Sequence, residues 1–177
     1  METTVLLNNV RLSFPALWQP RVGPDANSKP SYQASFILDK KTNAAEIEKV
    51  RAVIAGIVKE SFKGKQPPKI CLRDGSEKPD VDGYGDGVMF ISARSDKKPE
   101  VVGRTMAKII ESDNKVYAGC VVNATVRLWA QDNNYGKRIN AQLRAIQFVR
   151  DGPAFGEGVI DVSKEFTALP DDDQGAI

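Results

Sequence analysis

Apolar and polar residues alternate along most of this chain, and strands are the elements that alternation predicts. Thr4 to Phe14 reads as a first strand, with Leu6, Val10, Leu12 and Phe14 on one side and Val5, Leu7, Asn9, Arg11 and Ser13 on the other. Pro15, Pro20, Gly23, Pro24, Asn27 and Pro30 then interrupt regular structure and predict a long loop carrying Trp18, Arg21 and Lys29. Tyr32 to Leu38 predicts a second strand. The period then changes: Ile47, Val50, Ile54, Ile57, Val58 and Phe62 recur at helical spacing, with Asn43 as a capping residue and Glu46 three positions on. Beyond Gly64, Pro67 and Pro68 the chain reads as irregular through Asp86, followed by a strand from Val88 to Ala93, a polar loop Arg94 to Pro99, and Val101 and Val102.

The clearest pattern is Val116 to Leu128. Its even positions, Val116, Ala118, Cys120, Val122, Ala124, Val126 and Leu128, form a small-apolar row that alternation sends to a core, whereas Arg127 and Trp129 fall on the other face. Asp132 to Gly136 predicts a turn. The return strand sets Ile139, Ala141 and Leu143 against Arg138, Asn140, Gln142 and Arg144, after which the apolar phase slips to Ile146 and Phe148, the mark of a β-bulge. About five strands, twisted and bulged, with one main helix, make the fold class mostly β: an OB-fold-like five-stranded barrel.

Charge refines this picture. Residues 1–150 hold 24 Lys and Arg against 16 Asp and Glu, whereas residues 151–177 hold seven acids against Lys164, so a net charge of +2 divides into a basic body and an acidic end. The expected division is an OB domain over 1–155 and an acidic C-terminal tail over 156–177. A basic body calls for a polyanionic partner, and an acidic end either covers the basic surface, recruits another protein, or simply aids solubility. The length of 177 residues and a hydrophobic content of 41% fit one ordinary domain. There is no apolar run of about 18 residues and no basic, apolar leader, so the expectation is a cytoplasmic protein with no membrane partner. Cys71 and Cys120 show no CxxC spacing and read as reduced thiols.

Single-stranded nucleic acid requires cations for its phosphates and flat side chains for its bases. The hairpin supplies Trp129 and Arg127, then Arg138 and Arg144, with Tyr135 and Lys137 at its tip; loops add Trp18, Arg94, Lys97 and Lys98, and Tyr117 is a further stacking candidate. Each also has a plain structural reading: Trp129 as an aromatic capping the barrel end, Trp18 as a plug behind Phe14, and Lys97 and Lys98 as a solvated loop.

Catalytic readings have less to stand on. With no histidine, imidazole catalysis and the usual His-containing zinc sites are excluded. Asp80, Asp82 and Asp86 fail the spacing of a calcium loop, because Tyr84 and Ile91 stand where oxygen ligands belong. Gly83, Gly85 and Gly87 are not followed by the GK[ST] of a phosphate loop. The expectation is a binding protein, not an enzyme, without metal or cofactor.

The segments Asn9 to Trp18, Tyr32 to Leu38, Phe90 to Pro99, Tyr117 to Asn123 and Leu143 to Gly152 occur in an order and wording that resembles a bacteriophage single-stranded DNA-binding protein family, similar in organisation to the T7-type phage proteins. The resemblance implies an OB-fold that coats single-stranded DNA in phage replication or recombination, in the host cytoplasm. It also implies an acidic tail that competes with DNA for the basic groove and contacts replication partners; here Asp171, Asp172, Asp173 and Ile177 occupy that place, without the terminal aromatic often seen. The alternative is an interaction protein whose barrel binds protein. Either a monomer or a homodimer fits.

Overall fold

The computed structural model describes residues 1–24, 28–156 and 162–171. Its strands are β1 (Thr4–Arg21), β2 (Ser31–Asp39), β3 (Lys69–Ile70), β4 (Leu72–Asp74), β5 (Val88–Ser95), β6 (Glu100–Val102), β7 (Val121–Asn133) and β8 (Gly136–Arg150), with helices α1 (Ala44–Ser61) and α2 (Val162–Glu165). Strands β1, β2, β5, β8 and β7 pair in that order and close on themselves, since β7 also pairs with β1. All these pairings are antiparallel except β5 with β8, which is parallel. This is the closed five-stranded barrel with one main helix that the pattern predicts.

Alternation fills the barrel. Leu7, Val10, Leu12, Phe36, Leu38, Ile91, Val122, Val126, Leu128, Ile139, Leu143 and Ile146 are all buried in one core. The helix closes one side of it, burying Ile47, Val50, Ile54 and Ile57 against β1, β2 and β7, while Phe62 seals its end. Asn43 differs from its expected capping role. Its Oδ1 accepts the Asp39 amide and its Nδ2 donates to the Asn8 carbonyl, so it fastens the helix start to β1 rather than capping a helix amide.

Strand β1 is longer than the sequence predicts and changes faces. Val5 and Leu7 point inward and Leu6 is exposed, then Val10 and Leu12 point inward, because one extra residue intervenes between the Leu7–Ala124 and Val10–Val122 pairs. Asn9, at φ 54°, occupies that bulge. A second register shift lies between Ser13 and Ala16 and a third before Arg21. Pro15 and Pro20 sit in these slipped stretches, where no ladder amide is needed, so the strand passes through both prolines. The loop expected from Pro15 therefore begins only after Arg21, and Phe14 is exposed rather than aligned with Leu12.

Two further corrections concern strand limits. The row from Val116 is extended only from Val121: a turn precedes the strand, with Gly119 at φ 109° and packed against the Pro153 carbonyl too closely to admit a Cβ. The segment expected to be irregular contains β3 and β4. They enter the fork where β5 and β8 diverge, β3 pairing with β8 (Lys69 with Arg138) and β4 with β5 (Arg73 with Phe90). The bulge expected in the return strand is present: Thr125 faces Ala145 and Val126 faces Leu143, leaving Arg144 as the extra residue.

Past β8 the chain runs back along the barrel as far as Gly156, whose amide donates to Asp82. The Arg11 guanidinium stacks 4.1 Å from the centre of the Phe155 ring and donates to the Gly119 and Pro153 carbonyls. Its partial burial lowers the Arg11 pKa. Residues 162–171 are exposed, Asp171 among them; Asp172, Asp173 and Ile177 of the expected tail lie outside the described residues.

Candidate nucleic-acid interface

OB-folds take oligonucleotides across their second and third barrel strands and the adjoining loops; the corresponding strands here are β2 and β5. The outer face of β5 presents Ser92 and Arg94, and the register carries this row across to β8 and β7, where Asn140 faces Trp129. Strict alternation along the hairpin puts Arg127, Trp129 and Gln131 on the outside of β7 and Arg138, Asn140 and Gln142 on the outside of β8. Trp129 is 44% exposed. Asn140 donates to Gln131 Oε1 at 2.8 Å, which fixes the amide pair beside the indole.

The wedge of β3 and β4 raises one wall beside this floor. Together they enclose a groove of about 960 Å³ lined by Lys69, Arg73, Arg94, Trp129, Arg138 and Asn140 among others. Two acids also line it, and both are matched. Asp74 is held by Lys40 at 2.9 Å and by the Ser76 amide, which bring its pKa down to about 2. Glu77 pairs with Arg73 at 3.0 Å. Among the described residues Lys69, Arg94 and Arg138 form no ion pair, so the groove carries a surplus of positive charge around an exposed indole. A polyanion with flat, stackable groups is complementary to that surface.

The structure thus gathers Trp129, Arg138 and Arg94 of the sequence-predicted residues into one groove. Arg127 lies two residues from Trp129 on the same face of β7, and Arg144, the bulged residue, donates to Thr4 Oγ1 at 3.1 Å. Tyr135 is 84% exposed at the hairpin tip, next to Lys137. Trp18 lies elsewhere: it packs against the core with Lys98 5.6 Å from its ring, on a separate cavity of about 420 Å³ that Lys108 and Glu111 also line. Lys97 is exposed beside Lys98, its amide donating to Ser95 Oγ. Tyr117 lines neither cavity; its hydroxyl proton is shared between Asp151 Oδ1 at 3.0 Å and the Gly152 carbonyl at 2.9 Å, and its oxygen accepts from the Gly152 amide. Lys69 and Arg73 were not legible as groove residues, because strands of two and three residues leave no period to detect.

Residues 3–176 match the family model described as Enterobacter phage Enc34, ssDNA-binding protein. A curated relative, putative protein p50 of Acyrthosiphon pisum secondary endosymbiont phage 1, is 37% identical over 177 residues, covering 93% of each chain. Among solved structures, the single-stranded DNA-binding protein from bacteriophage Enc34 in complex with ssDNA superposes with a TM-score of 0.78 at 30% identity, covering 87% of this chain and 90% of that one. The single-stranded DNA binding protein gp2.5 of bacteriophage T7 superposes with a TM-score of 0.54 at 14% identity, covering 90% and 98%, a likeness of fold.

Proposed function

The chain belongs to the family of the single-stranded DNA-binding protein of Enterobacter phage Enc34, and on that premise we propose that the groove beside Trp129 is where it holds single-stranded DNA, in coating strands exposed during phage replication and recombination. The observation that carries this reading is the half-exposed Trp129 set among Lys69, Arg94 and Arg138, three cations without ion-pair partners among the described residues. Bases stack on the indole at about 1–3 kcal/mol each, and the cations contact phosphates, which carry no sequence information. Binding is therefore sequence-tolerant. The protein acts by binding, not by catalysis, in the cytoplasm of the host.

The acidic end enters the same reading. Asp171 and the acids after it act as a counter-charge for the groove, competing with phosphate when DNA is absent and available to replication partners when DNA is bound. Deleting residues 171–177 tightens DNA binding if so, and unchanged affinity would remove the tail from this role.

The deciding experiment is fluorescence anisotropy of a labelled dT oligonucleotide at several salt concentrations, with a duplex of equal length as competitor. Salt-sensitive binding that the duplex fails to displace is expected. Equal displacement by duplex would reduce the groove to a general polyanion surface.

A further inference from the structure

The outer face of β1, β2 and β5 carries a second aromatic group. Phe14, Tyr84 and Phe90 meet there, with ring centres 6.3 Å apart for Phe14 and Tyr84 and 5.1 Å apart, edge to face, for Tyr84 and Phe90. Lys78 Nζ lies 5.6, 5.4 and 5.1 Å from the centres of the three rings. The three rings differ in what they have left to offer. Phe90 is fully buried, and Tyr84 is committed through its hydroxyl to Ser13 Oγ at 3.1 Å. Phe14 remains 47% exposed.

That exposure is imposed by the backbone. Phe14 sits at the β1 register shift with φ 46°, a conformation that side chains other than glycine rarely adopt. Bulges re-aim side chains, and unfavourable backbone conformations concentrate where function requires them. The other bulged β1 residue, Asn9, has a structural explanation, since its amide donates to Asn123 Oδ1. Among the described residues the Phe14 amide donates to no side chain.

The cluster is continuous with the groove. Arg73, a groove residue, lies 5.2 Å from the centre of the Phe90 ring, and Phe90, Ser92 and Arg94 follow one another on the outer face of β5. The register carries one end toward the other: Ser13 faces Ser35 and Ser35 faces Ser92 across β1, β2 and β5, and past the fork that β3 and β4 fill Asn140 faces Trp129. Ser35 and Ser92 share a hydrogen bond of 2.9 Å.

Resting on the reading of the Trp129 groove as the DNA site, we propose that Phe14, buttressed by Tyr84 and Phe90, is a second base-stacking platform on the same DNA path, with Lys78 taking the adjacent phosphate. The chain then grips a strand at two aromatic points joined by a polar saddle. A strand too short to reach both points uses only one.

The test compares dT oligonucleotides of about four and about twelve nucleotides in the full-length protein. Phe14→Ala weakens binding of the longer oligonucleotide about tenfold and leaves the shorter one unchanged, whereas Trp129→Ala weakens both. Wild-type affinity of Phe14→Ala for the longer strand, with Trp129→Ala impaired, overturns the second platform and leaves the groove standing. No binding of either strand by the wild-type protein removes the groove and the platform together. If Phe14→Ala lowers thermal stability, photo-crosslinking decides on the unmodified protein: a 5-iodouracil strand of the longer length is expected to crosslink at Phe14 or Tyr84 as well as at Trp129. Crosslinks at Trp129 without either of those two overturn the proposal.

Discussion

The β7–β8 hairpin and β1 are both long, bent and bulged, yet they present their side chains in opposite ways. From Val122 to Leu128, and again from Ile139 to Leu143, the hairpin alternates without interruption, so its outward residues follow from the sequence directly. Strand β1 reverses at Asn9 and slips again after Ser13, so Leu6 faces solvent and Leu7 the core, whereas Leu12 faces the core and Phe14 solvent. A bulge in the hairpin leaves Arg144 protruding and costs little, because arginine belongs outside. In β1 the bulges turn apolar residues outward, which is favourable only where another group covers them or a ligand does.

The strongest way to test this contrast is with two neighbouring leucines. Leu7→Ala should cost about 2–5 kcal/mol in a denaturant unfolding experiment. Leu6→Ala should stay within about 0.5 kcal/mol. A large loss at Leu6 instead would mean that β1 runs in the unbulged register. Next in size is Trp129→Ala, expected to weaken single-stranded DNA binding by about 1–3 kcal/mol with the thermal midpoint retained; an unfolded variant would make the indole a core residue. Smaller still are Arg94→Gln and Arg138→Gln. Each should lower the slope of log affinity against log salt by about 0.7, with no effect on stability, and Arg104→Gln outside the groove should leave the slope unchanged.

At neutral pH the smallest effect concerns the two thiols that border the regions, Cys71 in the groove wall and Cys120 at the entrance to β7. Burial raises the pKa of both, Cys71 to about 12. A raised pKa favours the folded state below the unfolded value and is lost above it, so stability should decline as pH rises from about 9 toward 12. In neutral solution both thiols should react with a disulfide reagent only after unfolding. Prompt reaction of Cys71 in the native protein would show that the β3–β4 wedge opens.

Much of this was legible in the sequence for a definite reason. Periodicity reports a strand face only while the period holds, and it holds over most of the hairpin, β5 and the helix. It therefore exposed Trp129 and Arg138, two residues of the groove, whereas Arg94, expected in a polar loop, stands on the outer face of β5. It was silent where strands are two or three residues long, so Lys69 and Arg73 stayed hidden in an apparently irregular stretch. It misled where a bulge carries no glycine to announce it. Asn9 and Phe14 adopt positive φ without the residue that usually marks such a position, and the faces of β1 were accordingly misread. Trp18 and Tyr117 had the right chemistry, but their placement depends on contacts with distant loops that no local pattern encodes.

Strand β8 pairs with four partners, β7, β5, β3 and β6, and three of these pairings are parallel. Until β8 has left the ribosome, β5 is paired on that edge with β4 alone, the wedge has only one flank, and half of the groove floor does not exist. A growing chain consequently carries its cations and aromatics as an unassembled set through most of its synthesis. The capacity to grip a strand arrives late and all at once, with the segment that converts an open sheet into a closed one.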